Sequence, residues 1–389
     1  VVLAVQTDPR LRREALDAFE RIEARQPLAP DDQFLYARLL ASVGEWPKAR
    51  VRLGNLVRSN GANLFYTSYY GFAVLQYDGD TREARTCLEV MAKAQPDSRQ
   101  TVELKARVLE AEGRRDEAAA VVEGYLARDA DRLAFAAQLL ERLGMADRAE
   151  PLYRKLALDN GQPGAILALA SFLGRQGKTG DALSTVRGVI GKVSPAAVAA
   201  VGVEVLYHAP RVEPADARQV ETWIDAAATK EQDGKRFLGL TAIVRMAQGR
   251  YAEAIRLYRE VVTGDRPDPL AMNNLGYLLA THEQRYDEAL EWVTKAKEAA
   301  GPLPTFVDTE ALILIRKGEA QRAVDLLADL TRESPRPAEF YHLALAHQAL
   351  GNRVGQSAAV RQAKRWMIRP IDVPPIERDQ LARVLKEVR

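Results

Sequence analysis

The stretch Gly174-Arg-Gln-Gly177-Lys178-Thr179-Gly180 sets three glycines around a Lys-Thr pair. The chemistry it suggests is phosphate binding, in which a glycine-rich loop offers backbone N–H groups and a lysine reaches the outer phosphates. That motif needs another glycine five residues before Gly177, and the residue there is Phe172. It also needs a preceding strand, whereas ILALASFLGRQ (166–176) has helical spacing. The histidines are His208, His282, His342 and His347. The last two are five apart and share no helix face well, and no H-E-x-x-H spacing exists. They are expected to be solvated or half-buried. Cys87 is the only cysteine, so it can form neither an intrachain disulfide nor a thiolate metal cluster. On an apolar helix face it reads as a small core residue. G-x-S-x-G is absent, and the carboxylates lie among Arg and Lys as on solvated helix faces. No catalytic, cofactor-binding or metal-binding residue is assigned. The chain is read as no enzyme and as needing no cofactor.

The composition points to helix. Apolar residues make up 47% of the 389 and aromatics only 7%. Ala, Leu, Arg and Glu are plentiful, and straight side chains lose little freedom in a helix. No sustained period-two alternation occurs. The net charge of +2 gives no field for nucleic acid. The last 29 residues are more basic, Arg369 and Arg378 among them, which reads as a solvated helix face or, less favoured, a site for an anionic partner. No apolar run approaches the ~18 residues of a membrane span. VVLAV at the start is too short for a signal-peptide core, and without an initiating Met the chain reads as a processed or excised piece. The Ala- and Arg-rich usage is associated with bacterial coding.

What must position these residues is a repeat. Ala37 precedes Ala49 by 12 residues, and the same spacing joins Ala106 to Ala118, Ala137 to Ala149, Ala170 to Ala182, Ala242 to Ala254 and Ala311 to Ala323. Gly71 to Ala84 and Gly276 to Ala289 are each 13. The second alanines recur from Ala15 through Ala49, Ala84, Ala118, Ala149 and Ala182, skip 72 residues to Ala254, and continue at Ala289 and Ala323. Small residues are wanted where two antiparallel helices cross, because a larger side chain would overpack the crossing by ~1–3 kcal/mol. Five residues before the second alanine a glycine usually stands: Gly44, Gly79, Gly113, Gly144, Gly177, Gly249 and Gly318. There the first helix must stop with φ > 0. Prolines near unit ends, such as Pro27, Pro96, Pro195, Pro267, Pro302 and Pro335, cannot continue a helix.

A period near 34 with two helices per period resembles the tetratricopeptide repeat (TPR) family. The clearest units are QGRYAEAIRLYREVV and MNNLGYLLATHEQRYDEALEWV. The expected fold is all-α: a right-handed superhelical solenoid of antiparallel helix pairs, about ten units plus a C-terminal capping helix. Residues 1–195 form an N-terminal array whose first unit is partial, most of its first helix being lost before Leu3. Residues 196–234 form a degenerate repeat, interrupted by Pro210 and Pro214 and a possible bend. Residues 235–370 form a C-terminal array, and 371–389 a capping helix with Ile376, Leu381, Val384 and Leu385 inward.

The resemblance implies that one face of each first helix lines a concave groove. Carried onto this sequence, the groove positions include Phe34, Arg38, Ser68, Phe72, Glu103 and Arg107. Farther along they include Gln138, Asn273, Tyr277, Asp308 and Tyr341. Asn273 and Asn274 echo the asparagines with which some family members hold C-terminal carboxylates, but the matching lysines are absent, so that ligand is not carried over. The functional expectation is a non-catalytic scaffold holding a protein or peptide in the groove. A second reading is a structural subunit that self-assembles through uncovered repeat ends, with VVLAV completing a neighbour's layer. A third, weaker one is the regulatory part of a larger enzyme.

Overall fold

A computed structural model describes residues 9–387 except 44, 62, 128, 232–233, 264–267 and 334–335. VVLAV, Leu3, Gly44, Pro267 and Pro335 therefore lie outside the described residues. Those described form α-helices and short 3-10 turns and no strand. The helices are α1 (Pro9–Glu23), then the pairs α2 (Pro30–Ser42) with α3 (Trp46–Ser59), α4 (Leu64–Tyr77) with α5 (Thr81–Ala94), α6 (Arg99–Ala111) with α7 (Arg115–Leu126), and α8 (Leu133–Arg142) with α9 (Ala146–Asn160). There follow α10 (Pro163–Arg175) with α11 (Thr179–Arg187), α12 (Pro195–His208) with α13 (Pro214–Glu231), and α14 (Gly234–Ala247) with α15 (Tyr251–Val262). The last are α16 (Pro269–Thr281) with α17 (Tyr286–Ala300), α18 (Pro304–Lys317) with α19 (Ala320–Glu333), α20 (Pro337–Ala349) with α21 (Arg353–Arg365), and α22 (Arg378–Glu387). The chain divides into two compact units, Val1–Leu152 and Tyr153–Arg389.

The crossing residues make the pairs. Ala37, Ala106, Ala137, Ala170, Ala242, Ala311 and Ala344 on first helices are wholly buried, as are the second-helix alanines from Ala49 to Ala323. The turns between them follow one recipe. Gly177 takes φ 72°, and Lys178 N–H bonds the Leu173 carbonyl at 3.0 Å, five residues back. This left-handed C′ geometry consumes helix-end carbonyls that would otherwise go unpaired. The glycines at 79, 113, 144, 249 and 318 also have positive φ. The Lys-Thr pair is thus a hairpin turn, with Lys178 preceding α11 and Ala182 seated in the core. Prolines serve mostly as starts: Pro30, Pro163, Pro195, Pro269, Pro304 and Pro337 each open a first helix, where the missing N–H costs nothing.

The region 196–234 holds an ordinary helix pair. Pro210 falls in the turn and Pro214 opens α13. The crossing there is Gly202, where a methyl would sit 2.8 Å from the Trp223 ring. Ala217, 1% exposed, fills the place left empty between Ala182 and Ala254. In the second unit first helices also touch one another: α10 with α12, α12 with α14, α16 with α18, α18 with α20. The first helices therefore share one face there.

Candidate functional site

In the N-terminal unit the predicted positions form an aromatic and ionic ladder. Phe34 is buried, its ring centre 5.0–5.2 Å from those of Phe65, Tyr66 and Tyr69. The exposed Arg38 guanidinium lies 5.8 Å from the Phe34 ring centre and 5.6 Å from that of Tyr69. Arg107 lies 5.9 Å from the Phe72 ring centre and pairs with Glu103 one helical turn away at 2.9 Å. Arg142 approaches the same carboxylate at 3.4 Å. Ser68 is half-buried and Gln138 exposed. Among the described residues, none of these side chains carries a buried polar atom without a hydrogen-bond partner.

The C-terminal unit is different. Its first helices α12, α14, α16, α18 and α20 surround a cavity of ≈ 670 Å³, closed on one side by the segment 372–377. Of the predicted positions, Asn273, Tyr277 and Asp308 line it; Tyr341, 1% exposed, does not. Asn274, another wall residue, donates to the Tyr258 hydroxyl at 3.1 Å.

At the floor is a buried polar chain. His342 is 3% exposed and Glu377 is completely buried. His342 Nδ1 lies 2.7 Å from Asp308 Oδ1, and Nε2 lies 3.0 Å from Glu377 Oε2. The Tyr277 hydroxyl donates to Glu377 Oε1 at 2.6 Å. Burial works against charge on His342, but the Asp308 and Glu377 carboxylates outweigh it and hold the imidazole pKa well above its usual value. Burial likewise opposes the Glu377 charge, and His342 overcomes it, leaving that carboxyl below its usual range. With both nitrogens engaged, this histidine is not a free base. It is an imidazolium tying two carboxylates together. The expectation of solvated or half-buried histidines therefore fails at His342, and that of solvated carboxylates at Glu377 and Glu339.

Glu377 arrives from the C-terminal stretch. Before α22 the chain passes through two 3-10 turns, Pro370–Asp372 and Pro375–Glu377, joined by extended backbone at Val373 (φ −121°, ψ 155°) and Pro374 (φ −56°, ψ 150°). The α-helix starts only at Arg378, so Ile376 precedes it; Leu381 and Val384 are buried and α22 packs on α20. Two arginines fix this stretch to helix ends. Arg369 donates to the Arg175 carbonyl at the end of α10 (3.1 Å). Arg378 donates to the carbonyls of Tyr207 (3.1 Å) and Ala209 (2.7 Å) at the end of α12. Cations are favoured there because helix C-termini carry unpaired carbonyls and partial negative charge. The reading of these arginines as solvated charge is corrected. His208 Nδ1 adds a bond to the Ile371 carbonyl at 3.2 Å.

Glu339 is the residue that spacing missed altogether. It is 2% exposed, and Arg336 reaches one oxygen at 3.4 Å. Burial and the Asp308 charge push its carboxyl up to about 8. Among the described residues its Oε2 has no hydrogen-bond partner, and neither has Asn273 Oδ1. No group of three His, Cys, Asp or Glu side chains among the described residues converges as a metal site would require. No described helix is long and apolar enough to cross a membrane.

Residues 74–132 and 240–304 match the model of a family described as tetratricopeptide repeat. Among solved structures, the chain is similar to a tetratricopeptide repeat protein from Parabacteroides merdae, with 12% identity, 66% of this chain and 97% of that one covered, and a TM-score of 0.44. It is similar to yeast Tom70 (12% identity, 97% and 93% covered, TM-score 0.48). It is also similar to YrrB, titled a TPR protein with an unusual peptide-binding site (19% identity, 45% and 85% covered, TM-score 0.32). No curated protein matches.

Proposed function

We propose that this chain, a tetratricopeptide repeat protein, is a non-catalytic scaffold that binds an extended peptide or protein segment on the first helices of its C-terminal unit. One observation carries the reading. Those helices already hold a stretch of chain outside any α-helix, 369–377, which runs extended at Val373 and Pro374, and beside it leave a cavity of ≈ 670 Å³ with buried polar atoms unmet. The surface suits a strand-like ligand: apolar walls for alternate side chains and side-chain donors and acceptors placed in advance. Because the helices fix these groups before binding, little ordering cost falls on the complex. The N-terminal unit, its ladder internally paired, supplies support in this reading.

Selection of random linear peptides against the whole chain, followed by fluorescence-polarisation binding, tests it. Leu270 lines the cavity yet is 55% exposed, so Leu270→Lys should fold and weaken binding about tenfold, ~1.4 kcal/mol. Val354→Glu, at an 81% exposed site on α21, should leave binding unchanged. Selected peptides that bind both variants equally, or a selection that yields none, would overturn the proposal.

A further inference from the structure

The cavity in the C-terminal unit has an excess of acceptors. Its walls carry the carboxyls of Glu204, Asp308, Glu339, Asp372 and Glu377 against the one guanidinium of Arg336, together with two histidines. Most of these acids are spoken for. Glu204 pairs with Arg175 at 2.9 Å, Asp372 with Arg369 at 2.9 Å, and Glu377 is taken by His342 and Tyr277. What remains is a smaller set. Glu339 Oε2 and Asn273 Oδ1 are buried without partners, in residues more than nine-tenths buried, and Asp308 stands close enough to raise the Glu339 carboxyl. Buried acceptors without donors are costly. A ligand that brings N–H donors and positive charge would meet these oxygens and favour the Glu339 carboxylate over its protonated form.

Other ligand classes fit less well. A metal ion needs three converging ligands, which the described residues do not supply. An anion would meet five carboxyls and a single arginine already turned toward Glu339. An apolar group would leave both acceptors unsatisfied. Apolar side chains, Val203, Ile243 and Leu312 among them, also line the cavity. Apolar walls together with buried acceptors suit a long side chain with an aliphatic stem and a cationic head.

We propose that this cavity is a recognition pocket for a basic side chain, arginine or lysine, of an extended peptide, its head received by Glu339, Asn273 and Asp308. The inference deepens the peptide-scaffold reading and rests on it. A pH signature follows. Facing Glu339 are Asp308 from α18, Arg336 and His342 from α20 and, through His342, Glu377. Held up near 8 by burial and Asp308, Glu339 is mostly protonated at neutral pH. An incoming cation favours the carboxylate, so binding expels a proton, and affinity rises with pH toward 8.

The test uses the whole chain. Selected peptides should share an arginine or lysine at one position, and replacing it with citrulline or norleucine should weaken binding at least tenfold. Glu339→Gln should remove most of that discrimination and flatten the pH dependence between 6 and 8. Binders lacking a basic residue, or a citrulline effect under twofold, would overturn the pocket while leaving the groove standing. A second arm does not need a peptide groove. Titration with acetyl-arginine amide should shift the Asn273 side-chain amide resonance in wild type, and far less in Glu339→Gln. No shift at saturating concentration would overturn the inference, whatever the selection gives.

Discussion

Gly276 tests whether close helix crossing is what the repeat selects. It lies in α16, where α17 passes over it. A methyl placed on it would stand 2.8 Å from the Ala289 carbonyl oxygen and 2.8 Å from Val293 Cγ2. The carbonyl belongs to helical backbone and Val293 is fully buried, so neither yields without moving α17. Overpacking of this kind costs ~1–3 kcal/mol. Replacing glycine by alanine inside a helix returns about 1 kcal/mol. The repulsion should win, leaving Gly276→Ala destabilised by up to about 2 kcal/mol. Gly239→Ala is the matched control: it sits inside α14 with no atom within 4 Å of the added methyl, so only the propensity gain applies. It should stabilise by ~0.5–1 kcal/mol. Thermal melts followed by circular dichroism read both, at roughly 2–4 °C per kcal/mol for an array of this size. Hydrogen exchange should localise the Gly276→Ala loss to α16 and α17. Opposite signs are the prediction. If Gly276→Ala melts at or above wild type, or both variants move the same way, crossing distance is not what keeps these positions small.

The α16–α17 turn has Gln284 where the repeat register calls for glycine, and it adopts φ 59°. A left-handed residue with a Cβ costs ~1–2 kcal/mol, so Gln284→Gly should raise the melting temperature by about 2–8 °C. Burial pushes the Cys87 thiol up to about 12; at pH 8 a maleimide should leave it untouched in the folded chain and label it fully in denaturant. His342→Ala strips the half-buried Asp308 and the buried Glu377 of their shared cation, a loss of ~3–5 kcal/mol, and should expose the α22 amides to hydrogen exchange. In wild type the His342 contribution is complete below about pH 6.5 and is lost as pH climbs through its raised folded value. The Glu377 contribution holds above about pH 4.5 and is lost as pH falls through its depressed one. Exchange protection of α22 should therefore weaken at both acidic and strongly alkaline pH.

The fold was legible because two positions per unit admit little chemical choice. A crossing wants a methyl or nothing, and a left-handed turn wants glycine, so Ala37/Ala49 and Gly177 advertise the period without any alignment. Where the crossing chemistry changes, legibility goes. Gly202 lies against Trp223 and stands 15 residues before Ala217, so a search for pairs 12 or 13 apart passes it by. The site was half legible. Fixed offsets from the first small residue found Asn273, Tyr277 and Asp308. Glu339 and His342 fall five and two residues before Ala344, off those offsets, and Glu377 belongs to no repeat. Nothing in their spacing distinguishes a buried glutamate at a helix start from a solvated one. Their burial comes from tertiary packing, which at His342 includes Glu377 of the C-terminal stretch.

The C-terminal stretch also decides where a ligand goes. A partner could take the place of 369–377 or lie beside it. Displacement would withdraw Glu377 from His342, leaving a buried imidazolium with one carboxylate, and would uncap α10 and α12 by removing Arg369 and Arg378. A breached buried pair costs ~3–5 kcal/mol. A lost charge-assisted hydrogen bond adds ~1.5–3 kcal/mol for each arginine. A displacing peptide would have to supply an equivalent carboxylate and two equivalent cations before gaining any affinity. A peptide beside the stretch breaks none of these contacts and meets the unsatisfied oxygens of Glu339 and Asn273. The energetic asymmetry favours the second arrangement, with the C-terminal stretch as a permanent wall of the pocket.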